Sequence, residues 1–271
     1  MISLTTEDVQ AIGDIISGCI LREGYALRAD VLRRVDSQIS DVAEQLQPYS
    51  MPAKWEIISR RLDNRFGFTE TVACEKGRKL AATEVLSMFC QNHTPFSLQE
   101  FKDFAEEAGT QPFTYIPRDS AFRISENQYI AKNEIAFPIS QVDAAIELYC
   151  TGGYLPVTAI CHLDPNFHAF PFVGHVWNAY MLEQYIYDHS RTFRLCFGGN
   201  TSASGIIVRR KLQLEDNDLL SLILADSGVE LHQEPAINWL YDNGYIPSHT
   251  KSWASESILR RAKLIREERE K

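Results

Sequence analysis

Apolar residues recur at three- and four-residue spacing along most of this chain, which predicts a succession of amphipathic helices. Val9, Ile12, Ile16 and Ile20 lay one stripe on a helix from about Thr5 to Glu23, and Gly24 stops it by taking the left-handed conformation. Leu27, Val31, Leu32 and Val35 mark a second helix, and Val42, Ala43 and Leu46 a short third before Pro48. Pro52 suits the first turn of a further helix that carries Trp55, Ile58 and Leu62 and ends near Gly67. Between Phe66 and Cys74 the pattern turns to alternation, which predicts a strand.

The order then recurs. Arg78 to Gln91 is amphipathic through Leu80, Val85, Leu86 and Phe89. Ser97 and Glu100 have the spacing of a capping box, with Phe96 and Phe101 placed as a hydrophobic staple, so a helix starts there and runs to Gly109. Phe122 to Ile124 and Tyr129 to Ala131 flank a polar turn and predict a short hairpin, with Ile135 to Phe137 as an added strand. Ser140 and Asp143 suit another helix start, with Val142, Ala145, Ile146 and Tyr149 facing inward until Gly152-Gly153. Leu155 to Leu163 predicts a short helix and Val173 to His189 a long one. Thr192 to Phe197 and Ile206 to Arg210 predict a hairpin whose glycine- and serine-rich tip, Gly198 to Gly205, is exposed and open to proteases. Leu219 to Ala225, Pro235 to Asn243 and Ser252 to Lys271 complete a helical C-terminal segment.

The expected fold class is mainly α with short β-hairpins, in four segments: 1–77, 78–139, 140–213 and 214–271. Helices end in Gly-Tyr three times, at Gly24-Tyr25, Gly153-Tyr154 and Gly244-Tyr245, with separations too unequal for a fixed-period solenoid. The stretches Ser97 to Ala131 and Val142 to Arg210, each a capped helix, turn, helix and hairpin, resemble winged-helix (helix-turn-helix) domains. The likeness is one of pattern, spans about two-thirds of the chain and carries no family-specific motif. It implies tandem winged-helix units, a fold used both by DNA-binding regulators and by protein-interaction modules.

Charge changes that picture. The chain carries 27 Lys and Arg against 36 Asp and Glu, a net −9. The balance is −3 over residues 1–77, −2 over 78–140, zero over 141–211 and −4 over 212–271. A sequence-independent nucleic-acid binder draws its affinity from phosphate contacts and is usually basic, so any DNA contact must rest on a local patch. No apolar run reaches the length of a membrane span, and the acidic, polar start lacks the features of a secretory signal. Six scattered cysteines without paired spacing fit buried thiols in a reducing compartment, and a cytoplasmic location is expected.

Chemistry-bearing motifs are sparse. Gly198 to Gly205 has the glycines of a phosphate loop but leads into the strand Ile206-Ile207-Val208 without a lysine. Cys161, His162 and His168, with His175 and Cys196, concentrate metal-ligand types but contain no Cys-x-x-Cys pair. There is no Gly-x-Ser-x-Gly elbow, and Glu106-Glu107 and Asp216/Asp218 sit in polar runs as solvated faces. No enzymatic activity, cofactor or metal is therefore expected.

Basic residues are the remaining lead. Lys54, Arg61 and Arg65 share one stripe beside the apolar stripe of their helix, while Arg209, Arg210 and Lys211 close the third hairpin and Arg191 and Arg194 precede it. These six, Lys54, Arg61, Arg65, Arg209, Arg210 and Lys211, are the candidate phosphate contacts of a DNA-binding or DNA-associated protein. The alternative is a protein–protein adaptor, one subunit of a larger DNA-processing complex. Trp177, Tyr180, Tyr185 and Tyr187 spread round the long helix and would offer it a partner-facing surface.

Overall fold

The computed structural model describes residues 4–199 and 203–270. It is mainly helical, with three small three-stranded sheets. The first stretch runs α1 (Thr6–Glu23), β1 (Ala26–Leu27), α2 (Arg28–Gln38), α3 (Ser40–Leu46), α4 (Met51–Leu62), β2 (Phe66–Phe68) and β3 (Val72–Glu75). The second runs α5 (Ala82–Asn92), β4 (Phe96–Ser97), α6 (Leu98–Glu107), α7 (Tyr115–Ser120), β5 (Ala121–Arg123) and β6 (Gln128–Ala131). The third runs α8 (Ile139–Tyr149), β7 (Tyr154–Pro156), α9 (Val157–Leu163), α10 (Ala179–Asp188), β8 (Phe193–Cys196) and β9 (Ile206–Arg209). The sheet orders are β1-β3-β2, β4-β6-β5 and β7-β9-β8, so each time the last strand lies between the first two. After these come α11 (Asp216–Asp226), α12 (Gln233–Asp242), a 3-10 turn over Lys251–Ala254 and α13 (Glu256–Arg269).

The local grammar explains the starts and stops. Thr5 and Asp8 form a capping box on α1, and Gly24, at φ +83°, donates its N–H to the Ile20 carbonyl at 2.7 Å. A side chain at that left-handed position would be strained, so glycine lets the chain turn directly into β1. Ser97 and Glu100 cap α6 reciprocally at 3.1 and 2.7 Å, as their spacing predicts. Phe96 and Phe101 are both buried beside them.

The chain divides into two compact units, Met1–Ala121 with Tyr129–Ala131, and Phe122–Gln128 with Lys132–Lys271. In the first, Ile12, Ile16, Val31, Val35, Trp55 and Ile58 form one core among α1, α2 and α4. Complete burial of one such side chain stabilises by about 1.5–3 kcal/mol. The Trp55 indole N–H donates to the Thr69 carbonyl at 2.8 Å and ties α4 to the β2–β3 turn. Phe89, Phe96, Phe101, Phe104 and Tyr129 build a second, aromatic core in the same unit.

In the second unit, Phe137, Phe170, Trp177 and Tyr185 pack ring against ring. One face of the third sheet, through Cys196, Ile206 and Val208, shares a core with Leu219, Leu220, Ile223 and others from α11 to α13.

Several boundaries differ from the periodicity. Phe66 to Cys74 is not one strand: Thr69 N–H donates to the Val72 carbonyl and closes a hairpin, β2–β3. Leu155 opens as β7 because it pairs with Ile207 before α9 begins. Ile135 to Phe137 forms no strand. The helix expected from Val173 starts at Ala179, where the Asn178 side chain caps it by accepting from the Tyr180 and Met181 amides at 3.0 and 3.1 Å. Before it, the Trp177 indole donates to the Pro171 carbonyl at 2.7 Å and holds the segment folded back.

The described flanks of the hairpin tip are also not the free loop expected. Gly199, Ser204 and Gly205 are buried, Gly205 N–H reaches the Gly244 carbonyl at 3.3 Å, and Phe197 packs edge-on against Trp253. Asn200, Thr201 and Ser202 lie outside the described residues.

Candidate functional site

The six cations selected from the sequence fall in two groups, three in each compact unit. In the first unit α4 brings up Lys54 and Arg61, with Arg65 just beyond its end. Lys54 is largely buried and lies 3.7 Å from Asp36. Arg65 donates to Gln10 at 3.2 Å, lies 3.7 Å from Asp14 and covers the Phe66 ring at 5.3 Å. Both are committed inside the fold. Arg61 is exposed and has no ion pair or hydrogen bond among the described residues. Its neighbour Arg60 is paired with Glu56 at 2.7 Å.

In the second unit Arg209, Arg210 and Lys211 come together. The register sets Arg209 opposite Phe193, at the open base of the β8–β9 hairpin and at the far end from its tip. With Arg191 they line a cleft of about 540 Å³ that also borders one side of α8 from Ile139 to Glu147, including Asp143. Arg209 pairs with Glu147 and donates to the Cys150 carbonyl at 3.2 Å. Arg210 is exposed and donates to the Ser190 carbonyl at 3.2 Å. The side chains of Arg191 and Lys211 are exposed and have no partner among the described residues. Arg194 points elsewhere, to Asp216 at 3.0 Å and the Leu214 carbonyl at 2.7 Å.

Asp143 organises this cleft. It is 6% exposed and accepts from the Tyr185 hydroxyl at 2.9 Å, the Ser190 hydroxyl at 2.7 Å, and the Arg191 and Thr192 amides at 3.1 and 3.0 Å. Four donors saturate its lone pairs, so the buried charge is compensated and the α10–β8 turn is fixed against α8. Burial, with the Asp143 charge beside it, pushes the Tyr185 hydroxyl far above its ordinary range. The sequence suggests Asp143 only as part of a helix start. Its actual signal was an acid set among Val142, Ala145 and Ile146 on an apolar stripe.

The metal-ligand residue types around Cys161 are dispersed. Cys161 is half-buried and directs its Sγ to the Val157 carbonyl, His162 is exposed, and His168 meets Asp164 at 3.0 Å. Among the described residues no three His, Cys, Asp or Glu side chains are grouped to hold a metal ion. Asp164 anchors this loop instead. Burial acts to raise its pKa, but bonds from the His168 and Ala169 backbone and the His168 and Tyr149 side chains outweigh that and hold it at about 2.

The aromatic surface expected on one long helix is also rearranged. Trp177 lies before α10 and is buried, Tyr185 is buried, Tyr180 sits under the Arg123 guanidinium at 4.2 Å, and Tyr187 is exposed. Six consecutive residues of α10, Met181 to Ile186, are buried. Little of its middle is left to face a ligand, and Tyr187 in its last turn is its exposed residue. In the segment that precedes α10, Phe172 at 79% and Val176 at 81% exposure face solvent.

Among the described residues no helix is long and apolar enough to cross a membrane. No protein-family model, curated protein or solved structure matches the chain.

Proposed function

We propose that this chain is a non-enzymatic protein–protein adaptor built from three tandem winged-helix units. The recurring order of helix, strand, helices and two strands, with the last strand central in each sheet, supports the winged-helix reading. The observation that carries the adaptor reading is the burial of α10 from Met181 to Ile186. The helix that precedes the hairpin is the one a DNA-reading unit of this kind would lay in the major groove. In the third unit most of that helix is buried, with Tyr187 exposed, and one face of its hairpin is packed against the C-terminal segment. Exposed Phe172 and Val176 offer the apolar anchors that protein interfaces favour.

The test is sedimentation of the tagged protein from its native lysate, beside a Phe172→Asp/Val176→Asp double variant. The adaptor reading expects a discrete complex that the variant loses while staying folded by circular dichroism. A wild-type chain that sediments as a monomer overturns it.

Duplex DNA contact through α4 is a second reading, favoured by exposed Arg61, which has no partner among the described residues. It expects binding to a short duplex at low salt that weakens steeply as salt rises and is reduced by Arg61→Ala. Absence of low-salt binding removes it.

A further inference from the structure

Four cations from two short stretches, Arg191 and Arg209–Lys211, surround the cleft beside α8. Its two carboxylates are both occupied, Asp143 by four hydrogen bonds and Glu147 by Arg209. Two of the four cations, Arg191 and Lys211, have nothing to pair with among the described residues, and a third, Arg210, has only a carbonyl. Like charges held this close repel unless an anion sits among them. Ser140 and Thr192 add hydroxyl groups to the same lining. With four cations against two carboxylates the cleft carries a local excess of two positive charges, in a chain whose net charge is −9.

That excess matches one phosphoryl dianion. A phosphorylated side chain at neutral pH carries a charge of about −1.5 to −2 and accepts several charge-assisted hydrogen bonds. The geometry points to this cleft as a docking site for a phosphorylated serine or threonine on a partner polypeptide.

A peptide is favoured over nucleic acid by the placement of the charge. The cations are gathered round one compact cleft and do not continue as a track toward the hairpin tip, whose sequence from Gly198 to Gly205 carries none. A polyanion would need a succession of phosphate contacts and would meet an acidic molecule around them.

The inference rests on the adaptor reading and names the chemistry of one contact. Its test is a two-dimensional amide NMR titration of the labelled full chain with inorganic phosphate. Two short Gly/Ser peptides, identical except for one phosphoserine, and a short DNA duplex follow as separate titrants. Phosphate and the phosphopeptide are expected to shift the amides of Ser140, Thr192, Arg210 and Lys211 in common, while the unmodified peptide leaves them in place. Arg191→Ala and Lys211→Ala remove exposed side chains with no partners among the described residues, so the double variant keeps its spectrum. It is expected to bind the phosphopeptide about tenfold more weakly for each cation lost.

Silence of these amides toward both phosphate and phosphopeptide overturns the proposal, as does unchanged affinity in the double variant. A duplex that displaces the phosphopeptide at lower concentration assigns the cleft to nucleic acid. A silent cleft in a chain that still assembles through Phe172 and Val176 refutes the cleft alone and leaves the adaptor reading standing.

Discussion

Replacing Asp143 with alanine strips an acceptor from four donors at once. The Tyr185 hydroxyl keeps the Ile139 carbonyl at 3.1 Å, so it is only partly orphaned. The Ser190 hydroxyl loses its carboxylate acceptor in a site where the residue is 5% exposed. The Arg191 and Thr192 residues are exposed, and water can replace the carboxylate at their amides. One buried hydroxyl left unmade costs about 1–3 kcal/mol, and two charge-assisted bonds exchanged for water add about 1 kcal/mol each. The expected loss is about 3–5 kcal/mol, in the range seen when one member of a buried charged network is removed.

Asp143→Asn keeps one carbonyl oxygen but turns an NH₂ toward remaining donors, and about half that loss is expected. Tyr185→Phe removes a single donor and is expected to cost about 1 kcal/mol. Urea denaturation followed by tryptophan fluorescence suits the measurement, since Trp177 packs against the Tyr185 ring at 5.9 Å. In a double-mutant cycle, Tyr185→Phe is expected to cost less in the Asp143→Ala background than in the wild type. A cost below about 1 kcal/mol for Asp143→Ala, or strict additivity with Tyr185→Phe, would refute the view that this carboxylate fixes the turn.

Asp164, with a folded pKa of about 2 against an unfolded value near 3.9, contributes stability that is fully present above the unfolded value. That contribution is lost as pH falls through the folded one, so a carboxyl NMR titration is expected to find the midpoint near 2, and a midpoint near 4 would contradict the bonding network. Gly205→Ala places a Cβ 2.8 Å from the Cys196 carbonyl oxygen at φ +112°. The backbone conformation alone is expected to cost about 1–3 kcal/mol, read as a lower urea midpoint, and an unchanged midpoint would show that the turn can relax. Iodoacetamide at neutral pH is expected to modify half-buried Cys161 first and the five buried cysteines only in urea. Burial raises the Cys90 and Cys196 thiols to about 12, and peptide mass mapping that finds either modified as fast as Cys161 would count against the packing around them.

What could be read along the chain was what nearby residues decide. The capping box at Ser97 and Glu100 is complete within four positions, and Gly24 stops α1 through its own backbone freedom. Two of the six candidate cations, Arg61 and Lys211, are exposed and without a partner among the described residues. Whether a cation is already engaged depends on distant chain: Arg65 is paired by Asp14, and Arg209 by Glu147. The partners of Asp143 lie 42 to 49 residues away, so no local window contains them. The periodicity of Val173 to His189 suggested a long amphipathic helix, but the Asn178 cap cuts it and α10 is buried from Met181 to Ile186. An amphipathic pattern says which residues prefer burial and does not report how many neighbours arrive to bury the others.

The core shared by the third sheet and the C-terminal helices imposes an order on synthesis. Cys196, Ile206 and Val208 present apolar side chains that meet Leu219 to Ala262, all of them made later. A ribosome adds about 5–20 residues per second, so this sheet face waits several seconds, uncovered, before its lid exists. The core of α1, α2 and α4 is complete within residues 4–73 and can close soon after those residues emerge. During translation the vulnerable interval therefore falls late, and a stall or truncation shortly after Lys211 would leave an adhesive β-surface that the finished molecule never displays.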